Sequence, residues 1–305
     1  MRIFRHFHQA DGCPLALAIG NFDGMHLGHQ AMMDKLIGIA HSQGLKSAVM
    51  TFEPHPREFF TPGNAPTRLS SLREKLELFA EAGVEYAYVC HFNQRFAEVS
   101  AEDFMQRILR QAMNVKAVLV GEDFRFGAGR RGAQADFVSA GFQIISLPDV
   151  MLDQRRVSST AVREALAQGD LGRAEKLLGR PYTISGKVVH GDKVGRTWGY
   201  PTANIHMLHD RPPLFGVYAV KLEGLAESPL PGVASLGVRP TVKQGGKPTL
   251  EVHLFDFQQD IYGKHVRVHF LHKIRDEMKF ADIETLKTWI ASDAQKAREY
   301  FKYAT

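Results

Sequence analysis

The chain has 305 residues, of which 44% are hydrophobic and 23% are charged. This composition is typical of globular proteins and excludes a disordered or fibrous chain, while the length is typical of two domains. The net charge of +5 is too small to require nucleic acid as a partner and suits small anionic ligands equally well.

Cysteine content and hydropathy indicate a cytoplasmic protein. The two cysteines, Cys13 and Cys90, are too few for a disulfide framework. The first ten residues, MRIFRHFHQA, lead into polar residues instead of the apolar core of a signal peptide. No stretch approaches the roughly 18 apolar residues that a membrane-spanning helix needs. We therefore expect a soluble chain located in the cytoplasm.

The first 180 residues alternate strand-like and helix-like segments. The predicted strands are Leu15–Ile19, Lys46–Phe52, Tyr86–Cys90, Ala117–Val120 and Gln143–Leu147. The predicted helices are Gln30–His41, Ser71–Ala82, one that begins at Ser100, Ala161–Ala167 and Leu171–Leu178. Because parallel pairing needs long crossovers, this order predicts an α/β domain with a doubly wound parallel sheet, whose ligands bind at the carboxyl ends of the strands.

After residue 180 the pattern changes to short strands separated by Gly- and Pro-rich turns. The predicted strands are Tyr182–Val189, Val217–Leu222, Val233–Leu236, Leu250–Phe255 and His265–Phe270. Their spacing favours a smaller antiparallel barrel or sandwich. Asp282 is the expected N-cap of a final helix that runs to about Tyr303. We accordingly place one domain at 1–180 and a second at 181–305.

A glycine- and histidine-rich segment, Gly20–His29 (GNFDGMHLGH), lies between the first predicted strand and the first helix. Backbone N–H groups and the helix dipole attract phosphate at such a position. His26 and His29 are three residues apart and project from one face, and Gly28 is expected to leave room for a ligand. A surface turn with two hydrogen-bonded histidines is equally compatible with the spacing, whereas a zinc site would lack its third ligand.

A second candidate anion site lies late in the first domain. Ser158 and Ser159 precede a helix that carries Arg163. Hydroxyls and N–H groups at a helix start, with an arginine one turn inside, form a suitable cradle for an anion.

The second predicted domain carries two polar constellations. Gly191–Arg196 is a glycine-rich loop without the ending of a Walker motif, and Pro201-Thr202-Ala203-Asn204 follows it. Thr202 and Asn204 face the same side of an extended segment, where their oxygens could complete the shell of Mg²⁺ at a nucleotide phosphate. Glu251 lies on a predicted strand and could act as a general base. A hydrogen-bonded turn and an exposed strand glutamate are the simpler interpretations of these two features.

Taken together, these motifs carry a family resemblance. HxGH with a later SSTxVR segment resembles the nucleotidylyltransferase superfamily. The fuller motifs GNFDGMHLGHQ, TFEPHP and GEDFRFG resemble the adenylyltransferase half of the bacterial bifunctional riboflavin kinase/FAD synthetases. The second half resembles the riboflavin kinase module of the same family, a small β-barrel, through the segments 186–205, 215–218, 236–241 and 274–280.

For the first domain, the resemblance implies that His26 and His29 bind and polarise the phosphates of ATP. Ser158, Ser159 and Arg163 would hold the β- and γ-phosphates, which leave as pyrophosphate. The remaining implied positions on the nucleotide side are Gly20, Phe22, Asp23, Gly24, Gly28 and Asp123. His55 and Arg125 would lie on the flavin side.

For the second domain, the resemblance implies that Thr202 and Asn204 belong to the Mg-ATP site and that Glu251 is the base for the ribityl hydroxyl. Gly191, Gly195, Arg196 and Pro201 would lie against ATP. Arg275, Glu277 and Phe280 match the segment that closes on the flavin. The family usually has Asn where this chain has Ser235.

The implied function is bifunctional and needs Mg²⁺ in both steps: ATP and riboflavin give FMN and ADP, and ATP and FMN give FAD and pyrophosphate. The expected partners are these small molecules and apo-flavoproteins that receive the flavin, without nucleic acid or membrane. Three alternatives are a barrel that only binds flavin, adenylylation of another phosphorylated vitamin, and an RNA-binding barrel. The presence of both PTAN and Glu251 argues against a barrel that only binds flavin. The kinase-like second half argues against another vitamin, and the lack of an RNP-like aromatic run argues against RNA binding.

Overall fold

The computed structural model describes residues 1–7, 12–191, 199–208, 211–238 and 247–303. The chain divides into two compact units. The α/β unit comprises Met1–Pro66 and Leu72–Ser158, and the barrel unit comprises Thr67–Ser71 and Ser159–Thr305. Among the described residues, no helix combines the length and the apolar composition that crossing a bilayer requires.

The α/β unit is built on a six-stranded sheet in which every neighbouring pair is parallel, in the order β1-β4-β3-β2-β5-β6. The strands are β1 Arg2–Phe4, β2 Leu15–Ile19, β3 Lys46–Glu53, β4 Tyr86–His91, β5 Val115–Gly121 and β6 Gln143–Leu147. The predicted parallel sheet is confirmed. The edge strand β1 was not predicted, because three residues are too few to show a period.

Helices cover both faces of the sheet, which explains why β2 is buried at all five positions. One face packs Met33, Leu36 and Phe79, and the opposite face packs Leu109 and Phe137. The helices of this unit are α1 Leu27–Gln43, α2 Pro56–Phe60, α3 Leu72–Glu81, α4 Gln94–Ala97, α5 Ala101–Asp103 with its π-helical continuation Phe104–Ala112, and α6 Gln134–Ser139. A two-stranded ribbon, β7 Met151–Leu152 and β8 Arg155–Arg156, follows the sheet.

The barrel unit is a closed antiparallel barrel in the order β10-β13-β12-β11-β14-β9. Its strands are β9 Tyr182–Val189, β10 Ala203–Met207, β11 Gly216–Glu223, β12 Leu230–Val238, β13 Pro248–Leu254 and β14 His265–Arg275. The predicted antiparallel barrel is confirmed. Strand β10 was not predicted: it pairs with β9 and β13 and so closes the barrel.

A long C-terminal helix, α9 (Ile283–Tyr303), lies against the outside of the barrel. Val217, Ala219 and Val233 pack there with Ala294 and Ala297 of the helix. The predicted N-cap is confirmed, because the carboxylate of Asp282 accepts the backbone N–H of Thr285 at 2.8 Å. This helix therefore covers one sector of the barrel's outer face.

Two helices that precede the barrel strands, α7 Ser159–Ala167 and α8 Leu171–Leu178, belong to the barrel unit. The short segment Thr67–Ser71 also belongs to the barrel unit. One of its contacts there is the hydrogen bond that the Tyr182 hydroxyl donates to the Leu69 carbonyl at 3.1 Å. The compact division thus falls between Ser158 and Ser159, whereas our predicted domain boundary lies at residue 180.

Two candidate phosphate-handling sites

The segment Gly20–His29, called the HLGH loop below, follows β2 and opens helix α1. Strand β2 is flanked by β3 on one side and β5 on the other, so the chain winds in opposite directions from it. In an open α/β sheet this reversal leaves a crevice at the carboxyl ends of the strands, where ligands bind. The loop thus lies at the position that the fold favours for a ligand.

Buried side chains hold the HLGH loop in a strained turn. Phe22 and Met25 have φ angles of 49° and 42°, which side-chain-bearing residues rarely adopt. Their side chains are 1% and 2% exposed and belong to the core between the sheet and α1. A Cβ at Gly20 would lie 3.1 Å from the Phe22 ring. The tight packing therefore stabilises a backbone shape that the residues would not adopt alone.

The two histidines of the loop lie together at the start of α1. His26 is the N-cap residue, and its carbonyl accepts the backbone N–H of His29 at 2.8 Å. The imidazole rings are stacked with 3.7 Å between their centroids. Gly28 serves this stack, because a Cβ there would lie 3.2 Å from the His26 ring. The His26 ring thus leaves little room for a side chain at position 28, and the approach of a ligand to Gly28 stays a prediction.

The surroundings of His29 favour its neutral form. Burial lowers its pKa well below the ordinary value, and the charges of His26 and Lys75 lower it further. Among the described residues, neither Nδ1 of His29 nor Oδ1 of Asn21 has a hydrogen-bond partner, although both atoms are buried. A neutral imidazole offers one N–H donor and one acceptor to a ligand.

Lys75 is a residue of this site that the sequence analysis missed. It lies on α3, is only 4% exposed, and its Nζ is 3.4 Å from the carbonyl oxygen of Asn21. The sequence feature that could have identified Lys75 is its position one helical turn before Phe79, a fully buried residue of the same helix. A lysine on the apolar face of an amphipathic helix is unusual enough to be a candidate.

The residues of the second predicted anion site fall in different units. Ser158 ends the α/β unit, whereas Ser159 opens helix α7 of the barrel unit. Within the barrel unit, the Nε of Arg163 donates to the carbonyl of Thr67 at 2.6 Å, which orients the guanidinium. The joint action of Ser158, Ser159 and Arg163 on one phosphate chain stays a prediction.

The lower-ranked residues of the first site have structural partners. The exposed carboxylate of Asp123 accepts a hydrogen bond from Arg156 at 2.8 Å, and Arg125 is exposed. His55 caps helix α2, because its Nδ1 accepts the backbone N–H of Arg57 at 3.1 Å. The structure therefore gives Asp123 and His55 structural contacts and leaves their ligand roles as predictions.

A cluster of phenylalanines lies beside His55 at the carboxyl ends of β3 and β4. Neighbouring rings have centroids 5.2–6.0 Å apart, and Phe60 is 62% exposed. The members are Phe52, Phe59, Phe60, Phe92 and Phe96. Their exposed edge offers flat apolar surface suited to a planar aromatic ring. Sequence analysis missed the cluster because the fold brings together residues from three separate segments.

The barrel carries a row of polar residues on its outer face. Glu251 of β13 lies directly opposite Asn204 of β10 and Ser235 of β12. Directly opposed residues of antiparallel strands share a face, with Cβ atoms about 5 Å apart. Leu250 and Val252 are buried while Glu251 is half-buried, which places the row outside the barrel. Asn204 and Glu251, distant in sequence, are therefore neighbours in the fold.

Two contacts attach the flanking loops to this row. A Cβ at Gly191 would collide with the side-chain amide of Asn204, so a larger residue there would displace that amide. Nδ1 of His253, on the same face of β13 as Glu251, donates to the Pro201 carbonyl at 2.9 Å. Thr202 follows Pro201 and is half-buried. The predicted Gly195 and Arg196, and part of the 236–241 motif, lie outside the described residues.

The residues assigned to the flavin segment contact helix α9 and the end of strand β12. Arg275 makes a bidentate ion pair with the buried Asp293 of α9 at 2.8–3.0 Å, and its guanidinium lies 5.4 Å from the ring centre of Phe280. The carboxylate of Glu277 accepts the backbone N–H of Val238 at 3.1 Å. These contacts order the segment, and its closure on a flavin stays a prediction.

The oxygen donors of the row fit Mg²⁺ bound mainly through phosphate and water. That ion typically takes one or two protein oxygens and completes its shell with substrate and water. Thr202 and Asn204, the residues predicted to hold the metal, are both half-buried and flank the buried Ala203, so a hydroxyl and an amide oxygen are available on one side of this segment. The described residues contain no group of three or more His, Cys, Asp or Glu that could hold a metal ion without a substrate.

Comparison with known proteins assigns both halves. A family model described as FAD synthetase matches residues 8–161, and one described as riboflavin kinase matches residues 178–301. The bifunctional riboflavin kinase/FMN adenylyltransferase of Escherichia coli K12 is 47% identical, with 99% of this chain and 98% of the relative covered. That of Haemophilus influenzae is 45% identical, with 99% of both chains covered.

A solved structure described as a macrolide-efflux protein from Streptococcus pneumoniae superimposes with a TM-score of 0.80 at 32% identity, covering 98% of this chain and 99% of the other. The term macrolide efflux describes that protein and is not applied to this chain. Two family models that span most of the chain, and identities of 45–47% over nearly its whole length, give one answer. The chain belongs to the bifunctional riboflavin kinase/FMN adenylyltransferase family.

Proposed function

We propose that the two reactions of this family take place at two separate centres, the HLGH loop in the α/β unit and the row of Asn204, Glu251 and Ser235 in the barrel unit. The chain phosphorylates riboflavin to FMN and adenylylates FMN to FAD, with ATP as the second substrate of each step. The observation that carries the proposal is that each unit has its own polar constellation at a position where its fold can bind nucleotide phosphates.

At the HLGH loop, a phosphate oxygen of FMN attacks the α-phosphorus of ATP, and the bond to the β-phosphate breaks with release of pyrophosphate. Such a transfer needs no covalent enzyme intermediate. It needs alignment of two anions and stabilisation of the charge on the phosphoryl oxygens. His26 lies at the N-terminus of α1, where the helix dipole favours anions, and the neutral His29 supplies a hydrogen-bond donor.

The leaving pyrophosphate is assigned to Ser158, Ser159 and Arg163. Arginine binds phosphate oxygens in a bidentate manner, and serine hydroxyls at a helix start add further donors. Within the barrel unit the Nε of Arg163 donates to the Thr67 carbonyl at 2.6 Å, and the contact of its guanidinium with the pyrophosphate stays a prediction. His55, Arg125 and the phenylalanine cluster would bind the flavin end of FMN.

At the barrel row, Glu251 takes the proton of the ribityl hydroxyl as that oxygen attacks the γ-phosphorus of ATP and ADP leaves. Thr202 and Asn204 would hold Mg²⁺, which supplies neutralisation of the phosphate charge when it is bound. Their support is the register that sets Asn204 directly beside Glu251. Arg275, Glu277 and Phe280 would close on the flavin, and delivery of the product to apo-flavoproteins stays a prediction.

Complementation between two variants tests the separation of the centres. His29→Ala and Glu251→Gln proteins are assayed alone and mixed, with riboflavin, ATP and Mg²⁺, by chromatography that resolves riboflavin, FMN and FAD. We expect FMN alone from the first and no FMN from the second. The mixture should make FAD, because released FMN passes from one protein to the other. A mixture that makes FMN but no FAD would contradict two independent centres linked by free FMN.

A further inference from the structure

Lys75 is a buried cation next to the HLGH loop. Its side chain is 4% exposed, and its Nζ lies 3.4 Å from the carbonyl oxygen of Asn21. It occupies the apolar face of α3, one turn before the fully buried Phe79. Burial of an ammonium group is unfavourable unless its interactions compensate for the lost water. The burial of Lys75 therefore places a positively charged side chain, in contact with the Asn21 carbonyl, at this loop.

The carbonyl that Lys75 contacts is held from two sides. The hydroxyl of Thr51, at the end of β3, donates to the same Asn21 oxygen at 3.2 Å. The next residue is Phe22, the first of the two strained positions in the loop. Two donors on one carbonyl fix the peptide plane where the strained turn begins. The orientation of this plane sets the path of the chain to His26.

We propose that Lys75 is a positioning residue for adenylyl transfer, which fixes the HLGH loop through the Asn21 carbonyl and places positive charge behind the two histidines. The inference rests on the proposed role of His26 and His29 in binding ATP. Negative charge accumulates on the transferring phosphoryl group and on the leaving pyrophosphate, and a fixed cation in a poorly solvated site stabilises it more than one in water. The lowered pKa of His29, to which the charge of Lys75 contributes, agrees with this placement.

Three variants separate the hydrogen bond from the charge. Lys75→Met removes both, Lys75→Gln keeps an amide donor without the charge, and Thr51→Val removes the other donor and keeps the charge. Arg73→Ala is the matched control, because Arg73 lies on the same helix in an exposed ion pair with Glu77. Each protein is assayed for FAD formation from FMN, and its riboflavin kinase activity reports on folding within the same molecule. NMR titration of the His29 imidazole is the second measurement.

We expect Lys75→Met to lower kcat for FAD formation by roughly tenfold to a hundredfold, with a smaller change in KM for ATP and normal kinase activity. Lys75→Gln should lose activity and raise the pKa of His29, because a cation no longer opposes its protonation. Thr51→Val should lower kcat without moving that pKa. Arg73→Ala should resemble the parent in every measurement.

Two results would overturn the inference. One is a Lys75→Gln protein with parental kcat for FAD formation; the other is a His29 titration that does not move when the charge is removed. If Lys75→Met fails to fold, Lys75→Gln alone decides, since it is similar in size and polar. His29→Ala separates this inference from the proposed function: if that variant still makes FAD, the role of the loop fails, whereas loss there with a normal Lys75→Gln protein refutes only Lys75.

Discussion

The imidazole of His29 lies face to face with that of His26, with 3.7 Å between the ring centroids and 20° between the ring planes. Two positive charges at this distance would repel, and the proximity of His26 indeed lowers the pKa of His29. Simultaneous protonation of both rings to imidazolium is therefore unfavourable. It presents an anionic ligand with neutral or singly charged imidazoles in a fixed arrangement.

Loss of one ring of the stack should abolish one activity only. We expect His29→Ala to reduce FAD formation from FMN by roughly 10² to 10³, because the donor to the phosphate chain is gone. Riboflavin phosphorylation should stay intact, since no residue assigned to it lies in the α/β unit. The control is His41→Ala, an exposed histidine in the last turn of the same helix. Loss of both activities in His29→Ala would refute the two-centre assignment.

Substitution of the barrel carboxylate should have the opposite effect. Glu251→Gln keeps the shape of the side chain but cannot accept the ribityl proton, so we expect riboflavin phosphorylation to fall by roughly 10² to 10⁴. FAD formation from supplied FMN should be unchanged. Glu223→Gln is the matched control, because Glu223 lies on strand β11 and contacts His269 at 2.8 Å. Parental kinase turnover in Glu251→Gln would remove this residue from the role of base.

The contact between Gly191 and Asn204 gives a test of the metal site. In Gly191→Ala the added methyl group collides with the Asn204 amide, which must then move from its present position. We expect kinase activity to fall by roughly tenfold or more and to need a higher Mg²⁺ concentration for half-maximal rate. FAD formation should not change. The control is Gly172→Ala, where the nearest atom outside the helix backbone is 3.8 Å away; an unchanged Mg²⁺ dependence would contradict the assignment of Asn204.

Local patterns predicted much of the fold. Strand β2 is a continuous apolar run, and residues 250–254 of β13 alternate between apolar and polar. Asp282 was identifiable as an N-cap from the sequence alone. Helix α1 begins at Leu27, three residues before the predicted start, because His26 and not a residue after Gly28 is its cap. Strand β10 also alternates apolar and polar residues but was not predicted as a strand. Its pairing with β9 and β13 is established only by closure of the barrel.

The candidate sites were predictable as motifs but not as geometry. His26 and His29 are close in sequence, so their spacing already placed them together. Glu251 and Asn204 meet only through strand register, and Lys75 reaches Asn21 only because α3 packs beside the loop. Contacts between distant segments depend on packing, which periodicity in one segment does not describe.

The ion pair between Arg275 and Asp293 should contribute to the stability of the barrel unit. Asp293→Ala leaves a largely buried guanidinium without its carboxylate, and we expect a loss of roughly 3 kcal/mol in the free energy of unfolding. Urea titration followed by tryptophan fluorescence measures it, because Trp289 lies 5.5 Å from the same guanidinium. Asp256→Asn is the control, because Asp256 forms an exposed ion pair with Arg298, and an exposed pair contributes little to stability. Equal midpoints for the two variants would contradict a stabilising role.

The lowered pKa of His29 predicts how stability depends on pH. In the unfolded chain this histidine titrates near its ordinary value of 6.5, whereas in the folded chain it binds a proton only at much lower pH. Below pH 6.5 the unfolded state therefore binds more protons, so the contribution of His29 is fully present above that value and is lost as the pH falls.

The change is limited to about 1.4 kcal/mol per pH unit for one group. We compare the parent with His29→Gln, which has no such group, by urea unfolding followed by circular dichroism between pH 8 and pH 5. The parent should lose more stability than the variant below pH 6.5, while the two curves should be parallel above it. Parallel curves over the whole range would show that His29 has the same proton affinity in both states and would remove the argument for a neutral donor at the phosphate site.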